Sequence, residues 1–321
     1  MSIRSVIKLA GESGTIGSAG MMVAKALKNL EFEVYAEREF PSLIKGGRAN
    51  MMINFSRSEV RALSSQIDLG IGLDREGLLD CLETVKKGGL IIHGFDRWKK
   101  AIKKLPKIAE EKNYKIIELP ARQIAIDNGG SPIMVNTVLL GFAWKVLGLD
   151  IHSLKDQINR QFAKKPKVIP INETCAQAGY DFIPENWDQA TESIEELRSK
   201  IHAKIENKST VKGVDKMLID GNSSFVMGAV EGGVRAYYGY PMSPSSSILV
   251  YMAKIAKKYN ILVKQAEDEI TVAQMTLGSM HAGTRSICAT SGGGYDLMTE
   301  TVSLSAMIEV PWVGIIVQRP G

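Results

Sequence analysis

Short apolar runs alternate with segments of helical period along most of this chain. Residues 3–10 read as a buried strand, and further strands are expected near 32–36, 49–55, 67–73, 90–93 and 115–119. Gly11-Glu-Ser-Gly-Thr-Ile-Gly17 opens a helix to about residue 30. Residues 75–86 carry apolar positions at helical spacing, with Gly88-Gly89 as the stop. Ser131-Pro132 reads as a helix start, the serine capping and the proline in the first turn, for a helix to about 147. Strands separated by helices predict a mainly parallel α/β sheet.

The pattern changes from 151 to about 212. Stretches 154–163 and 187–205 look helical, no strand pattern appears, and Pro166, Pro170 and Pro184 punctuate the region. This predicts an N-terminal α/β domain over 1–180, a helical connector over 181–212 and a second domain over 213–321. The second domain opens with an Asn222 or Ser223 cap and a small-residue helix to 235. Strands follow at 236–240, 261–265, 285–289 and 313–318, with helices at 244–258, 268–281 and 296–308 between them. The sequence stops three residues past the last strand, inside a motif. We therefore expect a longer polypeptide or reading frame.

Composition narrows the function classes. The 321 residues are 45% hydrophobic and 23% charged, ordinary values for a soluble globular protein. The net charge of +5 is spread over solvated helix faces, so neither nucleic-acid nor membrane binding is expected. Cys81, Cys175 and Cys288 lie far apart, without a Cys-x-x-Cys, and the four histidines lack ligand spacing. The chain is expected to hold no metal site and no iron–sulfur cluster. Unpaired thiols and an N-terminus without a signal-peptide core predict a cytoplasmic protein.

Candidate chemistry concentrates where strands end. Gly11, Gly14 and Gly17 can cradle a phosphate at a helix N-terminus, or serve only to pack that helix against the sheet. Glu37 keeps a nicotinamide-type, Rossmann-like reading open. Lys45 and Arg48 sit in a Gly-rich loop able to meet an anion or simply to be solvated. In the last third, Tyr240-Pro-Met-Ser-Pro-Ser-Ser246, Ala266-Glu-Asp-Glu269, Thr290-Ser-Gly-Gly-Gly294 and Gln318-Arg-Pro-Gly321 each follow a predicted strand. In a parallel sheet such segments share the carboxyl edge, where ligands bind. Ser243 and Ser245 are natural helix caps, and first-turn acids complement the helix dipole. Ser291 to Gly294 permits close backbone approach by a ligand. Arg319 can fork onto a carboxylate.

Taken in order, these motifs resemble the α subunit of the 2-oxoacid:ferredoxin oxidoreductases. The N-terminal region is similar to the γ domain of that family, fused ahead as in 2-oxoglutarate-type members. The resemblance implies a thiamine diphosphate pyrimidine-binding-type parallel α/β domain over 213–321. It implies oxidative decarboxylation of a 2-oxoacid, 2-oxoglutarate favoured, to acyl-CoA, with electrons passed to ferredoxin. Indolepyruvate or branched-chain 2-oxoacids are the alternatives within the family, and a non-enzymatic nucleotide-binding Rossmann-like protein, resting on Gly11 to Gly17 and Glu37, is the alternative outside it. Carried over by motif, Glu269 pairs with the aminopyrimidine ring, Ser243 and Arg319 grip the substrate carboxylate, and Tyr240, Pro241, Ser291 and Gly292 line the cofactor site. A Gly-Asp-Gly…Asn diphosphate–Mg²⁺ pattern and cluster cysteines are missing from this sequence. The resemblance assigns Mg²⁺ and the iron–sulfur cluster to a partner β subunit. It leaves this chain half a thiamine diphosphate site, with CoA as co-substrate and no turnover when alone.

Overall fold

The computed structural model describes residues 4–11, 13–40, 48–94, 105–203 and 216–318. Contacts divide the chain into two compact units, Met1–Lys216 and Met217–Gly321.

The first unit is built on a six-stranded sheet. Its strands are β1 (Ser5–Gly11), β2 (Glu33–Glu39), β3 (Ala49–Ser56), β4 (Ile67–Gly72), β5 (Val85–His93) and β6 (Lys115–Glu118), in the order β2-β3-β1-β4-β5-β6. β1, β4, β5 and β6 run parallel, but β3 is antiparallel to both β1 and β2. The sheet is mainly parallel, as expected, and β3 alone among its described strands runs the other way.

This order also removes the nicotinamide reading. Glu37 pairs with Met52 inside β2, an edge strand separated from β1 by β3, and its side chain is exposed. It does not stand beyond a strand end beside the glycine turn, as a ribose-binding acid would. Gly17 instead has a packing role: a Cβ there would lie 2.5 Å from the Arg38 guanidinium. It sits on α1 (Ser13–Asn29), and one helical turn later Gly20 leaves room for Met51 in the same way.

Helix α2 (Arg75–Thr84) is capped by Asp74, which accepts from Gly77 N at 2.8 Å. It passes directly into β5, whose first residue, Val85, is already extended. Gly88-Gly89 therefore lies within a strand and does not stop the helix. Gly88 takes φ +76° there, where an L side chain would be strained, close to a shift in the β4–β5 register.

A helical layer follows: α3 (Leu105–Lys112), α4 (Ala121–Asp127), α5 (Val135–Leu147), α6 (Ile151–Gln161), α7 (Ile169–Asp181) and α8 (Trp187–His202). Ser131 precedes a 3₁₀ turn, Pro132–Met134, and its hydroxyl makes no cap; α5 starts only after that turn. Helix α7 was hidden by reading Pro170 as a breaker. The proline occupies the first turn, where its missing N–H has no helical partner to lose. The backbones of α5 and α7 touch: a Cβ on Gly141 would overlap the Ala176 carbonyl, and one on Gly179 the Val138 carbonyl. Helix α8 packs on α5, β5 and β6 and belongs to the first unit. Its Lys200 reaches Asp68, a buried carboxylate on β4.

The second unit has a four-stranded, wholly parallel sheet of β7 (Ala236–Gly239), β8 (Leu262–Gln265), β9 (Ser286–Thr290) and β10 (Val313–Ile316), in the order β10-β9-β7-β8. Its helices are α9 (Gly221–Glu231), α10 (Ser246–Tyr259), α11 (Glu269–His281), α12 (Gly292–Leu297) and α13 (Thr299–Met307). Side-chain alternation splits β7 between two cores. Tyr237 joins Val226, Ile248, Met252 and Ile287 on one face, while Tyr238 joins Val272, Ala273, Cys288 and Met298 on the other. Both faces of the sheet are covered, as a parallel sheet requires.

The cap of α9 is Asp220, which accepts from Ser223 N at 2.9 Å, rather than Asn222 or Ser223. The single helix expected over 296–308 is two, α12 and α13, broken at Met298.

Candidate functional site

Because β7, β8, β9 and β10 are all parallel, their carboxyl ends lie along one edge of the sheet. The segments after Gly239, Gln265, Thr290 and Ile316 therefore emerge together. Contacts between their side chains tie them into one cluster.

The turn after β7 carries Tyr240, Pro241, Met242 and Ser243. Tyr240, Pro241 and Ser243 are exposed. The expected serine caps are not made. Ser245 buries its hydroxyl and donates it to Met242 O at 2.7 Å, which closes the turn. Asn222 of α9 adds a brace, donating to Pro244 O at 3.0 Å and reaching Ser247 Oγ at 2.7 Å. Met242 extends to the turn after β9: its Cε lies 3.7 Å from the position of a Cβ on Gly293, and its sulfur 4.0 Å from Thr290 Oγ1.

The three acids after β8 separate by environment. Glu267 is exposed. Asp268 is the N-cap of α11, accepting from Thr271 N at 2.7 Å, and that backbone N–H holds its carboxyl below the usual value. Glu269, the first residue of α11, turns inward and is only 6% exposed. Among the described residues, no hydrogen bond or ion pair reaches its carboxylate. The acid is thus held at the sheet edge with its hydrogen-bonding capacity unused by the described residues.

The turn after β9 receives that side chain. A Cβ on Gly294 would lie 2.9 Å from both Cγ and Oε1 of Glu269 and would overlap Thr290 Oγ1. Ser291, at the start of α12, is 3% exposed, and its Oγ has no hydrogen-bond partner among the described residues. Gly292 opens α12, and a Cβ there would sit 3.5 Å from Gln318 Oε1 of the segment after β10. Val317 N donates to Thr290 O at 2.9 Å, fixing that last segment to β9. Beneath this floor Cys288 is wholly buried, and burial pushes its thiol up to about 12, so it stays protonated and inert.

Glu269, Ser291 and Gly292 are thus brought to one edge, with Tyr240, Pro241 and Ser243 on the neighbouring exposed turn. Arg319 lies outside the described residues, as do Lys45, Pro320 and Gly321. Reading the sequence placed Thr290, Met242 and Gly294 within the edge motifs but gave Thr290 and Met242 no role of their own and did not link Gly294 to Glu269. A threonine and a glycine four residues apart across a strand–helix turn were the available signal. A cleft of about 820 Å³ lies elsewhere, in the first unit, lined by Glu118, Arg122, Phe182 and Asn186 among others. None of the motif residues contributes to it.

The two units correspond to two family models. Residues 6–182 match pyruvate ferredoxin/flavodoxin oxidoreductase, and residues 227–321 match the thiamine diphosphate-binding region of pyruvate flavodoxin/ferredoxin oxidoreductase. The chain belongs to the pyruvate ferredoxin/flavodoxin oxidoreductase family. Within it, the chain is 26% identical to the α subunit of 2-oxoacid:ferredoxin oxidoreductase 2 of Aeropyrum pernix, over 97% of this chain and 54% of the relative. It is 38% identical to the 2-oxoglutarate synthase subunit KorA of Methanothermobacter thermautotrophicus over a shorter stretch, 33% of this chain and 28% of that one. A solved structure of 2-oxoglutarate:ferredoxin oxidoreductase from Magnetococcus marinus, with 2-oxoglutarate, coenzyme A and succinyl-CoA bound, is similar at a TM-score of 0.74. The two are 25% identical, over 99% of this chain and 53% of that chain. The chain spans about half the length of the curated relatives that match it from end to end. Among the described residues, no helix is long and apolar enough to cross a membrane.

Proposed function

We propose that this chain is a subunit of a 2-oxoacid:ferredoxin oxidoreductase whose second unit holds the pyrimidine half of thiamine diphosphate. The observation that carries this reading is a pair of polar groups at one sheet edge without a hydrogen-bond partner among the described residues, the carboxylate of Glu269, a residue only 6% exposed, and the buried Ser291 hydroxyl. A heterocycle with ring nitrogens and an amino group offers the donor and acceptor that these two groups lack.

Glu269 is the residue that would hold the ring nitrogen, through a carboxylate oxygen able to share a proton with it. Ser291 supplies a second polar contact, and Gly292 lets the ring approach the backbone. Tyr240 and Pro241 form the wall beside it. Ser243 and Arg319 hold the carboxylate of the 2-oxoacid, the arginine through its planar fork. Bound thiamine diphosphate supplies a nucleophilic carbon and an electron sink for decarboxylation.

The partner of this half-site is a β subunit that carries the diphosphate–Mg²⁺ site and the iron–sulfur cluster and passes electrons to ferredoxin. Cys81, Cys175 and Cys288 are each buried, on separate elements, which suits cluster ligation by the other subunit. CoA accepts the acyl group, in a cytoplasmic enzyme. The relatives named for 2-oxoglutarate favour that substrate over indolepyruvate or branched-chain 2-oxoacids. The test is 2-oxoacid- and CoA-dependent reduction of ferredoxin by the complex purified through this chain. 2-Oxoglutarate, pyruvate and indolepyruvate are compared, with the chain alone as control. Turnover with 2-oxoglutarate only in the complex is expected. Turnover by the chain alone overturns the subunit assignment, and a preference for another 2-oxoacid overturns the substrate.

A further inference from the structure

The turn after β9 does more than approach a ligand, because it shapes the seat of Glu269. Gly294 faces two side chains at once. A Cβ built on it would overlap Thr290 Oγ1 and would press at 2.9 Å on both Cγ and Oε1 of Glu269. Real Cβ atoms do not approach heavy atoms so closely, so any side chain at 294 forces something to move. Thr290 is fixed in β9, with its hydroxyl near the Met242 sulfur. Glu269 has no hydrogen bond among the described residues to resist displacement, and its side chain is the part free to rotate.

From this geometry we infer that Gly294 is a positioning residue for the Glu269 carboxylate. By lacking a Cβ it leaves one narrow slot, walled by Thr290, in which the acid lies. The inference rests on the proposed pairing of Glu269 with the pyrimidine ring and adds what holds the acid in line for it. Neither Gly294 nor Thr290 needs to touch the cofactor. A displacement of about 1 Å at a reacting group is enough to cost on the order of 10²-fold in rate.

The experiment compares four variants of this chain with the wild type in the assembled holoenzyme: T290A, G294A/T290A, E269Q/T290A and E269Q/G294A/T290A. E269Q/T290A is the reference for the last. T290A removes the harder of the two overlaps, so in its background G294A keeps only the contact with Glu269. The readouts are the circular-dichroism signal that reports the protonation state of the bound pyrimidine ring, the melting temperature, and kcat and KM for the 2-oxoacid. Expected for G294A/T290A is loss of the ring signal and a fall of about 10²-fold in kcat, with KM and melting temperature close to those of T290A. In the E269Q/T290A background, G294A should lower kcat no further, since its effect passes through the missing acid. Retention of the ring signal and rate in G294A/T290A overturns the inference, and so does loss of the signal in T290A alone. An equal fall caused by G294A in the T290A background with and without E269Q also overturns it, and assigns Gly294 to the turn itself. A wild-type holoenzyme without any ring signal overturns both this inference and the cofactor reading beneath it.

Discussion

Asp68 offers the most quantitative test of how the first unit is held together. It is 4% exposed on β4, between β1 and β5. Its Oδ2 accepts from Val6 N at 2.9 Å, Lys86 of β5 reaches Oδ1 at 2.6 Å, and Lys200 of α8 bridges both oxygens at 2.9 and 2.8 Å. One carboxylate therefore joins two neighbouring strands and the last described helix of the unit. Removing one partner of a buried pair costs about 3–5 kcal/mol when the remaining charge is trapped. Here the lysine side chains are 28% and 27% exposed and rehydrate in part, so the lower end applies. The orphaned Val6 N–H adds to the cost, about 1 kcal/mol at the low end of its range. For Asp68→Ala we expect a loss of about 3–4 kcal/mol, and less for Asp68→Asn, which keeps an acceptor for Val6. Lys200→Met leaves Asp68 paired with Lys86 and should cost about 1 kcal/mol, while raising amide exchange along α8. Urea unfolding of the full chain reads the first effects as a shift in midpoint at unchanged slope. An Asp68→Ala loss below about 0.5 kcal/mol would refute the reasoning and reduce the cluster to a surface ion pair.

At the second sheet edge, Glu269→Gln in the assembled enzyme should cut kcat by about 10²–10⁴-fold with little change in KM, read by steady-state ferredoxin reduction. Near-normal turnover would point back to Glu267 or Asp268. Arg319→Lys keeps the charge but loses the planar fork, so kcat/KM for the 2-oxoacid should fall well below that of Ser243→Thr, which keeps the hydroxyl. A silent Arg319→Lys beside an inactive Ser243→Thr would place the substrate carboxylate elsewhere. Asp268 titrates below its ordinary value because Thr271 N donates to it. Its contribution is therefore complete above the unfolded value near 4 and is lost as pH falls through the lower folded value. Acid unfolding curves of the wild type and Asp268→Asn should converge in that window, and curves that stay parallel would exclude the linkage.

Much of the architecture is written in local pattern, and the exceptions have physical causes. Strands β1, β3, β4 and β6 fall within a residue or two of the apolar runs that predict them. The antiparallel placement of β3 was not legible, because pairing is decided by partners far along the chain and not by the strand itself. Pro170 and Gly88-Gly89 carried opposite errors. The proline reads as a breaker but opens α7, and the glycines read as a stop but lie within β5. Caps were legible only to within a few residues, since Asp220, Asn222 and Ser223 are all suited to the role and geometry selects Asp220.

The candidate site was legible as an edge and not as a mechanism. Four strand ends in one parallel sheet must converge, which the motifs announce. Choosing among Glu267, Asp268 and Glu269 required the family resemblance in the sequence, whereas in three dimensions burial separates them at once. The Thr290–Gly294–Glu269 contact spans two turns and could not be read from either alone. Ser245 closes its turn through Met242 O, a use of a serine that competes with capping and has no distinct sequence mark.

The central claim is that Glu269 is a carboxylate waiting for a pyrimidine ring. The direct measurement is a structure of the complex containing this chain with thiamine diphosphate bound, at a resolution that places side-chain oxygens. The account predicts a Glu269 oxygen within about 2.7–2.9 Å of a ring nitrogen, with the Ser291 hydroxyl turned toward the same ring. A ring bound away from the carboxyl edge of β7, β8 and β9, or Glu269 paired with a protein group while the cofactor is bound, would contradict it.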